Sequence, residues 1–143
     1  MRIVILFLLA LVAATRLAAA ESDPPRVRVI VHPRTQVSVL DRKYVADAFL
    51  KKRSRWDDDR AILPVDQAPR SALREHFSRQ LLGRPTEAVR RYWSQLVFSG
   101  RGLPPPELRS DEAVVNYVKS HPGAIGYVSA NANVDGVRVV EVR

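Results

Sequence analysis

The residues best suited to chemistry in this sequence are Arg70, Ser71 and Arg74. A serine opening a helical pattern sets a hydroxyl beside unpaired backbone N–H groups, a place where anions are held. Arginines one residue before it and three after it add charge-assisted hydrogen bonds to an oxyanion. A plainer role fits the same residues: Ser71 as the N-cap of a helix, and two arginines on its solvated face. Both readings stay open at this point.

Other constellations fall away. His32, His76 and His121 lie far apart, without metal-ligand spacing. Ser71 and His76 are five apart on one helical pattern and so face different ways, which excludes a nucleophile and its base. The chain has no cysteine, which removes disulfides, thiolate ligands and cysteine nucleophiles. There is no Walker loop and no Gly-x-Ser-x-Gly elbow. Asp57-Asp58-Asp59 lacks the spaced pattern of a calcium loop and reads as a turn. Gly100-Arg101-Gly102 is too short for a phosphate loop and reads as a tight surface turn. The expectation is a protein that is not an enzyme and holds no metal or cofactor.

The elements that must position Arg70, Ser71 and Arg74 follow from periodicity. Arg26 to His32 alternates β-branched residues and reads as a strand ended by Pro33. Gln36 to Leu40 is a connector, and Asp41 caps a helix running to about Lys52, with Leu40 stapled onto Val45 and with Tyr44, Val45, Ala48 and Phe49 on its buried face. A polar loop around Trp56 leads to a short apolar strand, Ala61 to Val65. Leu73, Phe77 and Leu81 mark the helix capped by Ser71, and Gly83 and Pro85 end it. Thr86 caps the next helix, whose stripe is Val89, Tyr92, Trp93, Leu96 and Val97. A long loop through Pro104-Pro105-Pro106 follows. Ser110 caps a further helix, with Asp111 and Glu112 at its positive end. Ala124 to Ser129 is a buried strand in which Gly126 marks close packing. Val137 to Val142 is a last strand, with Asp135-Gly136 as the turn between the two. The order β, α, β, α, α, α, β, β argues for one compact α/β domain with a mixed sheet flanked by helices.

The first twenty residues read differently. Arg2, the apolar run Ile3 to Ala14, and small residues at Ala18 and Ala20 form the pattern of a cleavable secretory signal. The apolar run is shorter than the roughly 20 residues that span a bilayer. The expectation is a signal peptide over 1–20 and a single domain over 21–143, periplasmic or secreted, with no membrane span after cleavage. Removing Arg2 and Arg16 leaves +6 of the formal +8 charge. That balance suits an anionic ligand or simple solubility. The basic residues are scattered rather than gathered on one face, which argues against nucleic acid.

Three stretches then carry a resemblance: Tyr92-Trp93 through Val97-Phe98-Ser99-Gly100-Arg101-Gly102-Leu103-Pro104-Pro105; Pro122-Gly123-Ala124-Ile125-Gly126-Tyr127-Val128-Ser129; and Val45-Ala46-Asp47-Ala48-Phe49-Leu50 with Lys52 and Trp56. In that order and spacing the chain resembles the short, exported relatives of phosphate ABC transporter substrate-binding proteins, of the class II periplasmic binding protein-like group. The resemblance implies one lobe of a two-lobed α/β receptor that closes on an anion. A ligand segment of that family reads Ser-Gly-Thr-Arg at a helix start, with Phe three residues on. Here it reads Ser71-Ala72-Leu73-Arg74 with Phe77; the serine and arginine match, while Ala72 and Leu73 do not. Glycine lets backbone approach an anion and threonine donates a hydroxyl, and both are lost. Lys51 stands where the family has a glycine after its Phe-Leu pair. Two functions remain open: a solute-binding domain for phosphate or a related oxyanion, and a protein-interaction module that has lost its ligand. A protein partner or a homodimer is compatible with either.

Overall fold

The computed structural model describes residues 26–143. The export signal read over 1–20, and the segment that follows it up to Pro25, lie outside the described residues.

Strand β1 (Val27–Val31) is the centre of a five-stranded sheet. Its β-branched residues suit a pleated surface buried on both sides. Across the sheet the order is β2 (Val39–Leu40), β7 (Arg138–Val142), β1, β6 (Ala124–Ser129), β3 (Leu63–Pro64). β1 runs antiparallel to both β6 and β7, while β2 is parallel to β7 and β3 parallel to β6. The sheet is therefore mixed, as the element order implied. A separate parallel pair joins β4 (Asp66–Gln67) to β5 (Glu107–Leu108).

Alternation along β1 divides the core into two faces. Val29 and Val31, with Ile125, Tyr127 and Val140, face helix α1 (Arg42–Phe49) and helix α2 (Ala72–Phe77). Ile30, with Ala124 and Val128, faces helix α4 (Asp111–Ser120) through Val114, Val115 and Val118. Gly126 lies opposite Ile30 on that second face. A Cβ there would fall 2.7 Å from Val114 Cγ1 and 3.0 Å from Val65 Cγ1, which is the close packing the strand glycine implied. Helix α3 (Thr86–Phe98) lies outside these layers and builds a small third cluster from Leu50, Val89 and Trp93.

The caps at Asp41, Ser71 and Ser110 are made as expected, each side chain accepting from the N–H three residues on. Other details differ. α1 ends at Phe49, because Lys51 takes the left-handed conformation (φ 54°) in place of another helical turn. That is the position where the resembled family carries glycine, and the backbone keeps a glycine-like geometry without one. α2 runs on into a π-helical turn, Ser78–Leu82, before Gly83 (φ 68°) stops it. Thr86 does not cap α3: Pro85 holds the cap position and the Thr86 hydroxyl donates to Glu75. Asp135-Gly136 is not a hairpin turn between the last strands, because β1 lies between β6 and β7 and pairs with both. Two-residue strands β2, β4 and β5 occupy segments read as connectors or loops, being too short for any periodicity to show.

Candidate functional site

Ser71, Arg70 and Arg74 sit where β4 turns into α2, and the structure gives each a different surrounding. The Ser71 hydroxyl oxygen accepts the Arg74 backbone N–H at 3.0 Å, which is the cap. Arg70 is exposed, and its side chain makes no hydrogen bond or ion pair among the described residues. Arg74 turns inward: its side chain is 8% exposed, and its guanidinium lies 3.1 Å from Asp66 and 2.7 Å from Glu107. The same guanidinium donates to the Gln67 carbonyl at 3.0 Å.

Asp66 is the hub of this network. It ends the apolar run Ile62 to Val65 and is itself buried. Tyr127, in the centre of β6, donates its hydroxyl to Asp66 Oδ1. The Gln67 N–H donates to the same oxygen at 2.8 Å. Burial pushes the Asp66 carboxyl above the ordinary carboxylate range, against the pull of Arg74 and of the Tyr127 hydrogen bond. Burial likewise pushes the Tyr127 hydroxyl up, and the neighbouring Asp66 charge adds to it. On Arg74, burial opposes the charge, yet Asp66 and Glu107 outweigh it and hold the guanidinium above its usual value. The Gln67 side-chain amide extends the network, donating to Asp111 at 3.0 Å and to the Tyr127 carbonyl at 3.2 Å. Phe77 stacks on the Tyr127 ring with centroids 3.7 Å apart, which fixes the ring that carries the hydroxyl.

The chemistry of the corner follows from counting charges. One guanidinium faces two carboxylates, so the corner as a whole carries no surplus of positive charge. Arg74 is already paired with Asp66 and Glu107, which weakens its pull on any further anion. The groups here with spare capacity for an anion are Arg70 and the Ser71 hydroxyl hydrogen. Sequence reasoning placed Arg74 on a helix face but did not find Asp66, Gln67, Glu107 or Tyr127. A carboxylate ending a buried apolar strand was the available signal, since a charge in that setting needs a cation.

Beside this corner lies a groove of about 300 Å³. It is lined by Trp93, Val97 and Phe98 of α3, by Pro104 and Pro105, and by Asp66 and Arg74. Its surface is mainly apolar. Of the side chains that line it, Phe98 is 93% exposed and Val97 47%; Leu103, in the loop after α3, is 69% exposed. The stripe read along α3 is thus buried at Val89 and Trp93 and uncovered at Val97. Asp57, Asp58 and Asp59 each pair with an arginine, and no group of metal-binding side chains occurs among the described residues. Nor, among those residues, is any helix long and apolar enough to cross a membrane.

Neither a protein-family model nor a curated protein matches the chain. Solved structures do. An ABC-type phosphate transport receptor from Vibrio cholerae superposes with a TM-score of 0.65 at 16% identity, covering 82% of this chain and 46% of its own. A candidate phosphate ABC transporter substrate-binding protein with bound phosphate, from Clostridium perfringens, gives 0.66 at 20% identity, over 82% of this chain and 45% of its own. PstS from Borrelia burgdorferi gives 0.64 at 14% identity, over 83% and 47%. The chain spans about half the length of the structures it matches. The likeness is one of fold: the mixed sheet with flanking helices is the architecture of about half of a phosphate-transport receptor.

Proposed function

We propose that this chain is an exported, non-enzymatic binding domain of the solute-receptor type, with phosphate or a related oxyanion as its ligand. The signal-like first twenty residues support export to the periplasm or beyond, and 21–143 is then the working domain. The observation that carries the reading is the fold, shared over about four-fifths of the chain with phosphate receptors. Arg70 and Ser71 are the ligand donors, with Arg74 behind them as the residue that holds the turn. Because Asp66 and Glu107 already neutralise Arg74, affinity from this wall alone is weak. Isothermal titration of phosphate into 21–143 tests it. Saturable heat that falls several-fold in Arg70→Ala supports the site, since Arg70 holds nothing else in place. No heat at millimolar phosphate removes the ligand.

A second reading, favoured by the inward pairing of Arg74 and the uncovered Phe98, is an interaction module that keeps the receptor fold and binds protein instead. It expects no phosphate heat and a partner displaced by substitution at Phe98.

A further inference from the structure

His32 follows the last residue of the central strand β1 and is buried. Its backbone N–H donates to the Ala124 carbonyl of β6 at 3.2 Å, so the residue is pinned to the sheet. The chain then turns through Pro33, and the Thr35 N–H closes the turn onto the His32 carbonyl at 2.8 Å. The imidazole takes part as well: the Arg34 backbone N–H donates to His32 Nδ1 at 3.1 Å. A backbone amide only donates, so Nδ1 is here an acceptor and carries no proton. That hydrogen bond exists only while the imidazole is neutral.

The surroundings make the neutral state matter. Arg34 lies on the turn itself, and Arg60, from the loop before β3, donates to the Arg34 carbonyl at 3.2 Å while pairing with Asp58. Burial pushes the His32 imidazole below its ordinary value, and the charges of Arg34 and Arg60 push the same way. The Lys119 backbone carbonyl, in the last turn of α4, pulls against them. The closed turn also carries a cost of its own. Thr35 is buried, and its hydroxyl has no hydrogen-bond partner among the described residues. An unpaired buried hydroxyl disfavours the state that buries it. The closed turn is thus held against an opposing term, and the loss of one hydrogen bond shifts the balance.

We propose that His32 is an acid-operated latch on the turn 33–36. Protonating Nδ1 sets a donor against the Arg34 N–H and adds a third positive charge beside Arg34 and Arg60. The ring is buried and its backbone is held on β6, so the response falls to the turn. That turn lines a cavity of about 310 Å³ together with Tyr44 and Trp56. Its release widens the cavity and gives water to the Thr35 hydroxyl. The closed turn binds the proton more weakly than the open one, in which the imidazole titrates near its ordinary value of about 6.5. Closure is therefore fully favoured above that value. Below it, the ratio of open to closed grows about tenfold per pH unit until the lower, closed-turn value is reached.

NMR of the protein between about pH 7.5 and about pH 5 tests the latch, across the range in which a histidine changes charge. Imidazole nitrogen shifts read the tautomer and the titration of His32, and amide exchange reads the protection of Arg34 and Thr35. The expected result is a bare Nδ1 at neutral pH. As the ring titrates, protection at both amides falls about tenfold per pH unit, while the amides of β1 and β6 hold. His32→Asn supplies an oxygen that accepts from the N–H two residues on and does not titrate, so protection stays flat with pH. His32→Ala has no acceptor and leaves Arg34 unprotected at neutral pH. Titration of the ring without loss of protection at Arg34 overturns the proposal, as does a ring that stays neutral until the whole domain unfolds. His32→Asn with the wild-type pH dependence also overturns it and gives the switch to another group. The wild-type spectra alone decide the first two outcomes, so the test does not depend on either variant folding.

Discussion

Two neighbouring regions of the molecule have opposite economies. In the corner built by Asp66 and Arg74, the two charged groups are buried and each finds partners within the fold. In the stretch from Val97 to Leu103, apolar groups are left in water. The segment that most resembles an anion-binding motif is thus occupied with holding the chain together, while the surface with nothing to hold it lies next door. A motif's residue types therefore do not settle its use: Arg74 matches the family pattern, and two carboxylates decide what it does here.

The sharpest way to break the contrast is to remove Arg74. Asp66 is buried with a side chain 8% exposed, and Arg74→Ala leaves it without its buried cation. Breaking a buried ion pair from one side costs about 3–5 kcal/mol. Urea unfolding is expected to show a loss of that size, a large share of the stability of a domain this small. A loss under about 1 kcal/mol would mean that the corner is wet and loosely held, and that the guanidinium is available to a ligand.

How much of this contrast was readable beforehand depends on how far apart the partners lie in sequence. The caps at Asp41, Ser71 and Ser110, the strands β1 and β6, and the helix α4 are set by neighbours within a few residues, and they appear where the pattern places them. The close packing at Gly126 was legible for a similar reason: a glycine inside an apolar strand has few other uses. Arg74 is different. Its partner Glu107 is 33 residues away, and Tyr127, which holds Asp66, is 61 residues from it. Nothing in the local pattern distinguishes an arginine pointing to solvent from one pointing to a distant carboxylate. The pairing of β7 with β1 instead of β6 is hidden for the same reason, because adjacency in sequence suggested a hairpin.

Tyr127→Phe sharpens the account of how the corner is held. The variant keeps the stack on Phe77 and loses the hydroxyl that donates to Asp66. A hydrogen bond to a charged group contributes about 1.5–3 kcal/mol, so the loss of stability is expected to lie in that range, below that of Arg74→Ala. The hydroxyl also favours the ionised carboxyl, so the Asp66 titration moves further up, as carboxyl NMR would read it. The sign for stability follows. A carboxyl raised in the folded state binds its proton more tightly there than in the unfolded chain. Its contribution therefore grows as pH falls through the folded-state value and is lost as pH rises. Tyr127→Phe should steepen that dependence, and an unchanged profile would place the proton elsewhere.

Ser71→Ala is expected to be milder, about 1 kcal/mol, because it removes one cap from a helix whose body stays packed through Phe77. A thermal melt measures it. The loss should not depend on phosphate if Ser71 is only a cap, and it should widen with phosphate present if the hydroxyl also meets a ligand.

The smallest effect is expected where the exposed surface is largest. Phe98→Asp replaces a side chain that touches water on nearly every side, so the monomer loses little packing, and its stability should change by no more than about 0.5 kcal/mol. That total includes the small penalty of a new carboxylate at the exposed C-terminal end of α3. The two terms together stay well below the cost at Arg74. Unfolding at low protein concentration, where any dimer has dissociated, isolates them. A loss of several kcal/mol there would mean that Phe98 packs within its own chain, and the contrast between a satisfied corner and an unsatisfied face would collapse. Near-neutrality in the monomer combined with a concentration-dependent loss at high protein concentration would instead locate the value of Phe98 between molecules.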